Sequence, residues 1–157
     1  VAETARLWLV RCATRRAMLI DDPCAEYAKL IGADPNAPDY AYYRFVTLHW
    51  DGLDAAQIPP QHRDLLRAQS AQRPAALARV DDPLARLMGA SLLVMRKEAD
   101  ASTLGIATET ASERGWRQPL LTYLGLQHAQ AASRGDAAEQ ARLVRRIQLV
   151  EESLASH

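Results

Sequence analysis

Lysine is nearly missing from this chain, with Lys29 and Lys97 the only two, and phenylalanine occurs once, at Phe45. Arginine therefore supplies almost all the basic charge, and with abundant alanine this composition looks like that of a GC-rich bacterial genome. Neither sign of charge is in excess, since nineteen basic residues meet nineteen acidic ones. No overall field draws the protein toward phosphate backbones or anionic lipid, so nucleic acid is not implied as a partner. Long apolar runs are lacking too. Arg, Asp or Glu interrupts every stretch before it reaches the roughly twenty residues a membrane span needs.

The seven glycines are scattered singly, which excludes a glycine-rich phosphate loop. His49, His62, His128 and His157 include no pair at the i, i+4 spacing that seats a metal on a helix, so no metal or other cofactor is expected. Strand signals are as scarce. β-branched residues are few, alternating patterns do not persist, and Asp51-Gly52 is the lone hairpin-type dipeptide. Gly89-Ala90-Ser91 begins like a nucleophile elbow but lacks its closing glycine and falls within a helical pattern, so Ser91 reads as packing. Glu109 and Glu113 make a helical carboxylate pair without the second Glu-x-x-His unit of a di-iron bundle.

The chain begins at Val1 with no charged-then-apolar leader. A removed signal peptide and a piece of a longer chain both stay open, and with them a cytoplasmic or a periplasmic location. Two cysteines, Cys12 and Cys24, would suit a disulfide in an exported protein. A first helix continuing to about Ile20, however, places Cys12 some eight residues, roughly 12 Å, below the turn beside Cys24. A disulfide tolerates Cα atoms up to about 7 Å apart, which favours two buried free thiols.

What is plentiful is Ala, Leu, Arg, Gln and Glu, residues that lose little side-chain freedom in a helix. The expected fold is all-α: about seven or eight antiparallel helices in one domain over residues 1–157, irregular over 1–80 and regular over 81–155. The first helix runs from about Ala2 to Ile20. Its apolar stripes are Leu7, Val10, Ala17 and Trp8, Cys12, Leu19, with Arg6, Arg11 and Arg15 outward. Asp21-Asp22-Pro23 starts a second helix that ends at Gly32. After a loop over Ala33–Pro38, a third helix spans about Asp39 to Trp50. Pro59-Pro60 launches a helix to about Gln72, and a short piece follows Pro74 through Val80. Four further helices start at Asp81-Asp82-Pro83, at Asp100, at Pro119 and at Asp136.

Laying Pro83 onward over Pro119 onward, an offset of 36 residues, pairs Pro83-Leu84 with Pro119-Leu120, Gly89 with Gly125 and Asp100-Ala101 with Asp136-Ala137 without a gap. Two helices per unit at this period resemble tetratricopeptide and Sel1-like repeats over about Asp82 to Leu154. The resemblance puts Gly89 and Gly125 at the family's helix-A glycine, and Ala101 and Ala137 at its helix-B alanine. The chain departs from the pattern where aromatics are expected: Leu92 and His128 in helix A, Gly105 and Ala141 in helix B. It implies stacked hairpins whose surface binds a peptide or another protein.

Aromatics crowd one stretch. Tyr40, Tyr42, Tyr43, Phe45 and Trp50 lie within eleven residues, more than half of the nine in the chain. The crowding suits either a central packed helix or a groove lined by hydroxyls and an indole. The candidate partner-binding residues are Tyr40, Tyr43, His49 and Trp50 in this stretch, with Arg86, Lys97 and Gln127 on the repeat-like hairpins. Arg142, Arg145 and Arg146 against Glu151 and Glu152 read as a solvated face of the last helix. The expected function is a non-enzymatic scaffold or adaptor binding another protein. Two alternatives remain: a helical inhibitor or immunity-type protein of bacteria, and a helical-bundle small-molecule binder or enzyme using His49, Asp51 and Tyr43 around a pocket.

Overall fold

A computed structural model of the chain describes residues 1–32 and 34–155; Ala33, Ser156 and His157 lie outside the described residues. Among the described residues there is no strand, and no helix is long and apolar enough to cross a membrane. The α-helical segments are α1 (Ala2–Ala17), α2 (Ala25–Ile31), α3 (Tyr40–Val46), α4 (Arg63–Arg67), α5 (Arg73–Ala78), α6 (Pro83–Met95), α7 (Ala101–Arg114), α8 (Arg117–Ser133) and α9 (Ala137–Ala155). Single 3₁₀ turns sit at Ala55–Gln57, Pro60–His62 and Ser70–Gln72. The helix expected from Pro59-Pro60 to about Gln72 is reduced to α4 between two of these turns, while α5 is the short piece expected after Pro74.

From α6 onward each helix packs on the next, and α1 lies on α6. The connections are short, as in helical hairpins. Start signals act as the sequence predicts for α6, α7 and α9, whereas α2 begins only at Ala25, behind a left-handed Cys24 and not at Pro23, and α8 begins at Arg117, ahead of Pro119. Asp82 accepts the Ala85 N–H at 2.8 Å, Asp100 and Thr103 form a reciprocal capping box, and Asp136 accepts the Glu139 N–H at 3.1 Å. Stop signals are more varied. α1, α3, α6, α7 and α8 all close with the same paired backbone bonds, for example His49 N–H to Arg44 O at 2.8 Å with Leu48 N–H to Phe45 O at 3.2 Å. That closure needs a left-handed residue. Gly115 and Gly135 supply it after α7 and α8, but Leu19, Leu48 and Lys97 supply it after α1, α3 and α6 at φ of 61°, 69° and 62°.

The cap at Leu19 ends α1 three residues before Ile20 and turns the chain back along its last turns. Arg16 Nη1 donates to Asp22 O at 2.7 Å, Arg15 Nε to Asp22 Oδ2 at 3.0 Å, and Asp22 Oδ1 accepts the Cys24 N–H at 2.9 Å. Cys24 therefore returns to the level of Cys12, with Cα atoms 5.4 Å apart, and the two form a disulfide. This corrects the expectation of free thiols, which assumed a helix to Ile20 and no return. A seven-residue segment can span about 23 Å, ample for it.

The face α1 buries also differs from the expectation. Ala5, Leu9, Cys12, Ala13, Arg16 and Ala17 point inward, whereas Leu7 and Val10 are 72% and 55% exposed. Arg16 is the surprising member. Its guanidinium donates to the Val46 carbonyl at the end of α3, covering an acceptor the helix itself leaves open.

One core runs from α1 through α6 to Tyr123 of α8, and a smaller one joins Ala111, Leu120, Leu124, Ala131 and Leu143. Ser91 ties the first together. Its hydroxyl donates to Ala17 O at 2.6 Å and shares a 2.8 Å hydrogen bond with Tyr123, so the predicted packing residue is also a polar link between α1, α6 and α8. The two landmark glycines are not equivalent. A Cβ at Gly89 would meet Leu77 Cδ1 at 2.7 Å and Leu65 Cδ2 at 3.1 Å, whereas nothing lies within 4 Å at Gly125. Only Gly89 serves a close approach.

Candidate functional site: an outward apolar face on α1 and the cavity beneath it

Helical spacing places Leu7, Val10, Thr14 and Met18 along one side of α1, three to four residues apart. This side faces away from the core. Leu84, 50% exposed at the start of α6, flanks it. Thr14 and Leu84 together line two adjoining hollows. The first is apolar, with Ala17, Met18, Leu87, Trp116, Arg117, Gln118 and Pro119 around it. The second is a cavity of about 140 Å³ between Val10, Ala13, Tyr42, Gln61, His62, Asp82, Ala85 and Met88. Beside the stripe, Arg11 lies over the Trp8 ring at 5.3 Å, and neither Arg11 nor Arg117 has a carboxylate partner among the described residues.

Tyr42 and His62 belong to a ladder of rings. His62, delivered by the turn after Pro59-Pro60, lies 5.9 Å from Tyr42 and 4.9 Å from Phe45, and Phe45 stacks on Trp50 at 5.2 Å and 6°. The Trp50 indole donates to Phe45 O at 2.7 Å. Burial lowers the His62 pKa to about 4 against the opposing pull of Asp82, so the ring is neutral near pH 7. Burial likewise pushes the Tyr42 hydroxyl up to about 12.

The ladder ends in charge. Arg73 and Arg96 lie 4.7 and 4.2 Å from the Trp50 ring centre, and both pair with Glu98, which also accepts from Ser70. Burial alone would raise the Glu98 pKa. The hydrogen bonds from Ser70, Arg96 and Arg73 outweigh it and hold the carboxylate below its usual range.

Of the residues singled out from sequence, Tyr43 packs on Tyr27 at 5.0 Å and on Tyr40 at 5.9 Å, and His49 reaches Tyr43 at 6.5 Å. His49 Nδ1 bonds Thr47 Oγ1 at 2.9 Å, and no hydrogen bond joins it to Asp51. Trp50 is 6% exposed and sits in the core. Arg86 donates to Thr110 at 3.1 Å and Gln127 accepts from Thr108 at 3.1 Å, while Lys97 is exposed in the turn after α6. Thr108 and Thr110 are two residues apart on α7, so Arg86 and Gln127 meet that helix on different sides. On α9, Arg142 pairs with Glu139 and Arg146 reaches Glu109 at 3.6 Å, not Glu151 or Glu152.

Cys12, Cys24 and Asp22 gather their ligand-type atoms within 4.8 Å, but the sulfurs are bonded to each other, and the group is a cross-link. Sequence reasoning missed the α1 face because it assigned Leu7 and Val10 to the core. It missed His62 because an isolated histidine carries no spacing signal. No family model, curated protein or solved structure matches this chain.

Proposed function

We propose that this chain is a non-enzymatic partner-binding module that takes an amphipathic helix of another protein, acidic along its flanks, against the outward face of α1. The observation that carries the reading is the second apolar stripe of α1, Leu7, Val10, Thr14 and Met18, which lies opposite the buried one and has nothing over it among the described residues. A helix apolar on both sides is stable in water when a second surface covers it. The stripe runs about 17 Å, three turns, which matches the anchor spacing of a helix laid in a groove. Arg11 and Arg117, both without carboxylate partners, border it and favour acidic flanks on the incoming helix. The resemblance of residues 82–154 to tetratricopeptide and Sel1-like hairpins points toward protein binding as well. The Cys12–Cys24 bond supports an oxidising compartment as the place where this happens.

The test replaces Val10 with the photo-crosslinker p-benzoylphenylalanine in the native cell, with Gln148 on α9 as control position. The expected product forms at position 10 alone and maps to an amphipathic segment with Asp or Glu beside its apolar side. A product joining two copies of this chain, or equal crosslinking from both positions, would overturn the reading.

A further inference from the structure

We infer that the cavity beneath Val10 and Leu84 is a binding site for a neutral phenol ring, seated on apolar walls with its hydroxyl at His62. The size fits: about 140 Å³ is close to the roughly 150 Å³ apolar cavity that holds benzene. Val10, Ala13, Leu84, Ala85 and Met88 supply apolar wall, and Tyr42 adds an aromatic side.

Polarity decides what the ring carries. His62 is 4% exposed and lines the cavity; its backbone N–H donates to Pro59 O at 3.1 Å, whereas its ring, packed on Tyr42 and Phe45, makes no hydrogen bond among the described residues. A neutral imidazole that no protein group pairs offers a ligand one donor and one acceptor nitrogen. A ligand hydroxyl, itself donor and acceptor, satisfies either nitrogen. Anions are disfavoured because the lining holds a carboxylate, Asp82, and no cation. That carboxylate already caps α6 through Ala85. A plain hydrocarbon fills the volume but leaves His62 unpaired. The phenol can arrive as a free small molecule or as a tyrosine side chain; the second source rests on the docking reading above, the first does not.

The experiment is an NMR titration of the intact, oxidised protein with p-cresol, toluene and 4-methylbenzoate, read at Met88, Ala85 and Ala13. The expected order is p-cresol tighter than toluene by at least tenfold, with 4-methylbenzoate silent. His62→Phe keeps a ring in the stack and brings p-cresol down to the level of toluene, while Ala85→Leu fills the cavity and abolishes both. N-acetyltyrosinamide separates the sources: binding as tight as p-cresol identifies a side-chain site, weaker binding a free-phenol site, and both sustain the inference. Toluene equal to p-cresol on the wild-type protein, or no shift at Met88 with any probe, would overturn it. Either result leaves the crosslinking at Val10 unaffected, so the two readings fail separately.

Discussion

Residues 1–80 and residues 81–155 reach the same end by different physics. In the second stretch α6 to α9 run 13 to 19 residues, each begins or ends on a recognisable cap, and each lies along its neighbour. In the first, α2 to α5 have seven residues or fewer. Helices that short do not hold themselves in water, and their order comes from what they touch. There the touching is done by cross-links: the disulfide, buried Arg16 on the end of α3, the ring ladder from Tyr42 to Trp50, and Glu98 between Arg73 and Arg96. Long helices spread their stabilisation along a surface, whereas short ones concentrate it at a few points.

Breaking a point should therefore cost the first stretch more than the second. The largest effect is expected at Trp50→Ala, which removes the end of the ladder and the surface under two arginines; about 4 kcal/mol of stability is at stake. Urea unfolding measures it, and amide exchange should rise through α3 to α5 before α8 and α9. Reduction of Cys12–Cys24, or Cys12→Ser with Cys24→Ser, frees a loop whose closure contributes about 3 kcal/mol. For a chain of this size that is a fall in Tm of roughly 6–12 °C.

Acid probes the same region. The pKa of His62 drops from 6.5 in the unfolded chain to about 4 when folded, so below pH 6.5 the unfolded state takes up the extra proton. Stability present above that pH is lost as pH falls toward 4, by on the order of 3 kcal/mol. His62→Phe should flatten the melting temperature between pH 6.5 and 4. An equal slope in the variant would place the acid sensitivity elsewhere, Glu98 being the next group, with its lowered pKa.

The smallest expected effect sharpens the comparison at the helix ends. Leu48 and Lys97 adopt the left-handed conformation without being glycine, which costs roughly 1–2 kcal/mol each. Lys97→Gly, at an exposed position, should stabilise by about 1 kcal/mol, and Gly115→Ala should destabilise by about as much. The same sign at both positions would contradict the assignment of these residues as equivalent caps.

This difference also explains what could be read from residue order. Asp82, Asp100, Asp136, Gly115 and Gly135 announce the ends of α6 to α9 because their side chains, or the lack of one, do the capping. Leu19 and Leu48 announce nothing: both pack half-buried against the core, and no local preference marks their left-handed conformation. The disulfide was hidden for the same reason, since it depends on Leu19 turning the chain back. The two faces of α1 were legible as apolar, but periodicity cannot say which face meets the core. Arg16 went inward because Val46 O and Asp22 O were waiting for it. Leu7 and Val10 stayed outside, and the cavity with His62 became visible when α1, the Pro59-Pro60 turn and α6 were seen together.

The claim that matters most is that the outward side of α1 serves binding and not folding. Its most direct test is the double variant Leu7→Asp with Val10→Asp, titrated with the segment captured at position 10 and melted alongside the parent protein. The expected result is a loss of affinity of at least tenfold with stability changed by no more than about 0.5 kcal/mol, as for surface substitutions away from core contacts. Undiminished binding, or a variant that no longer folds, would contradict it.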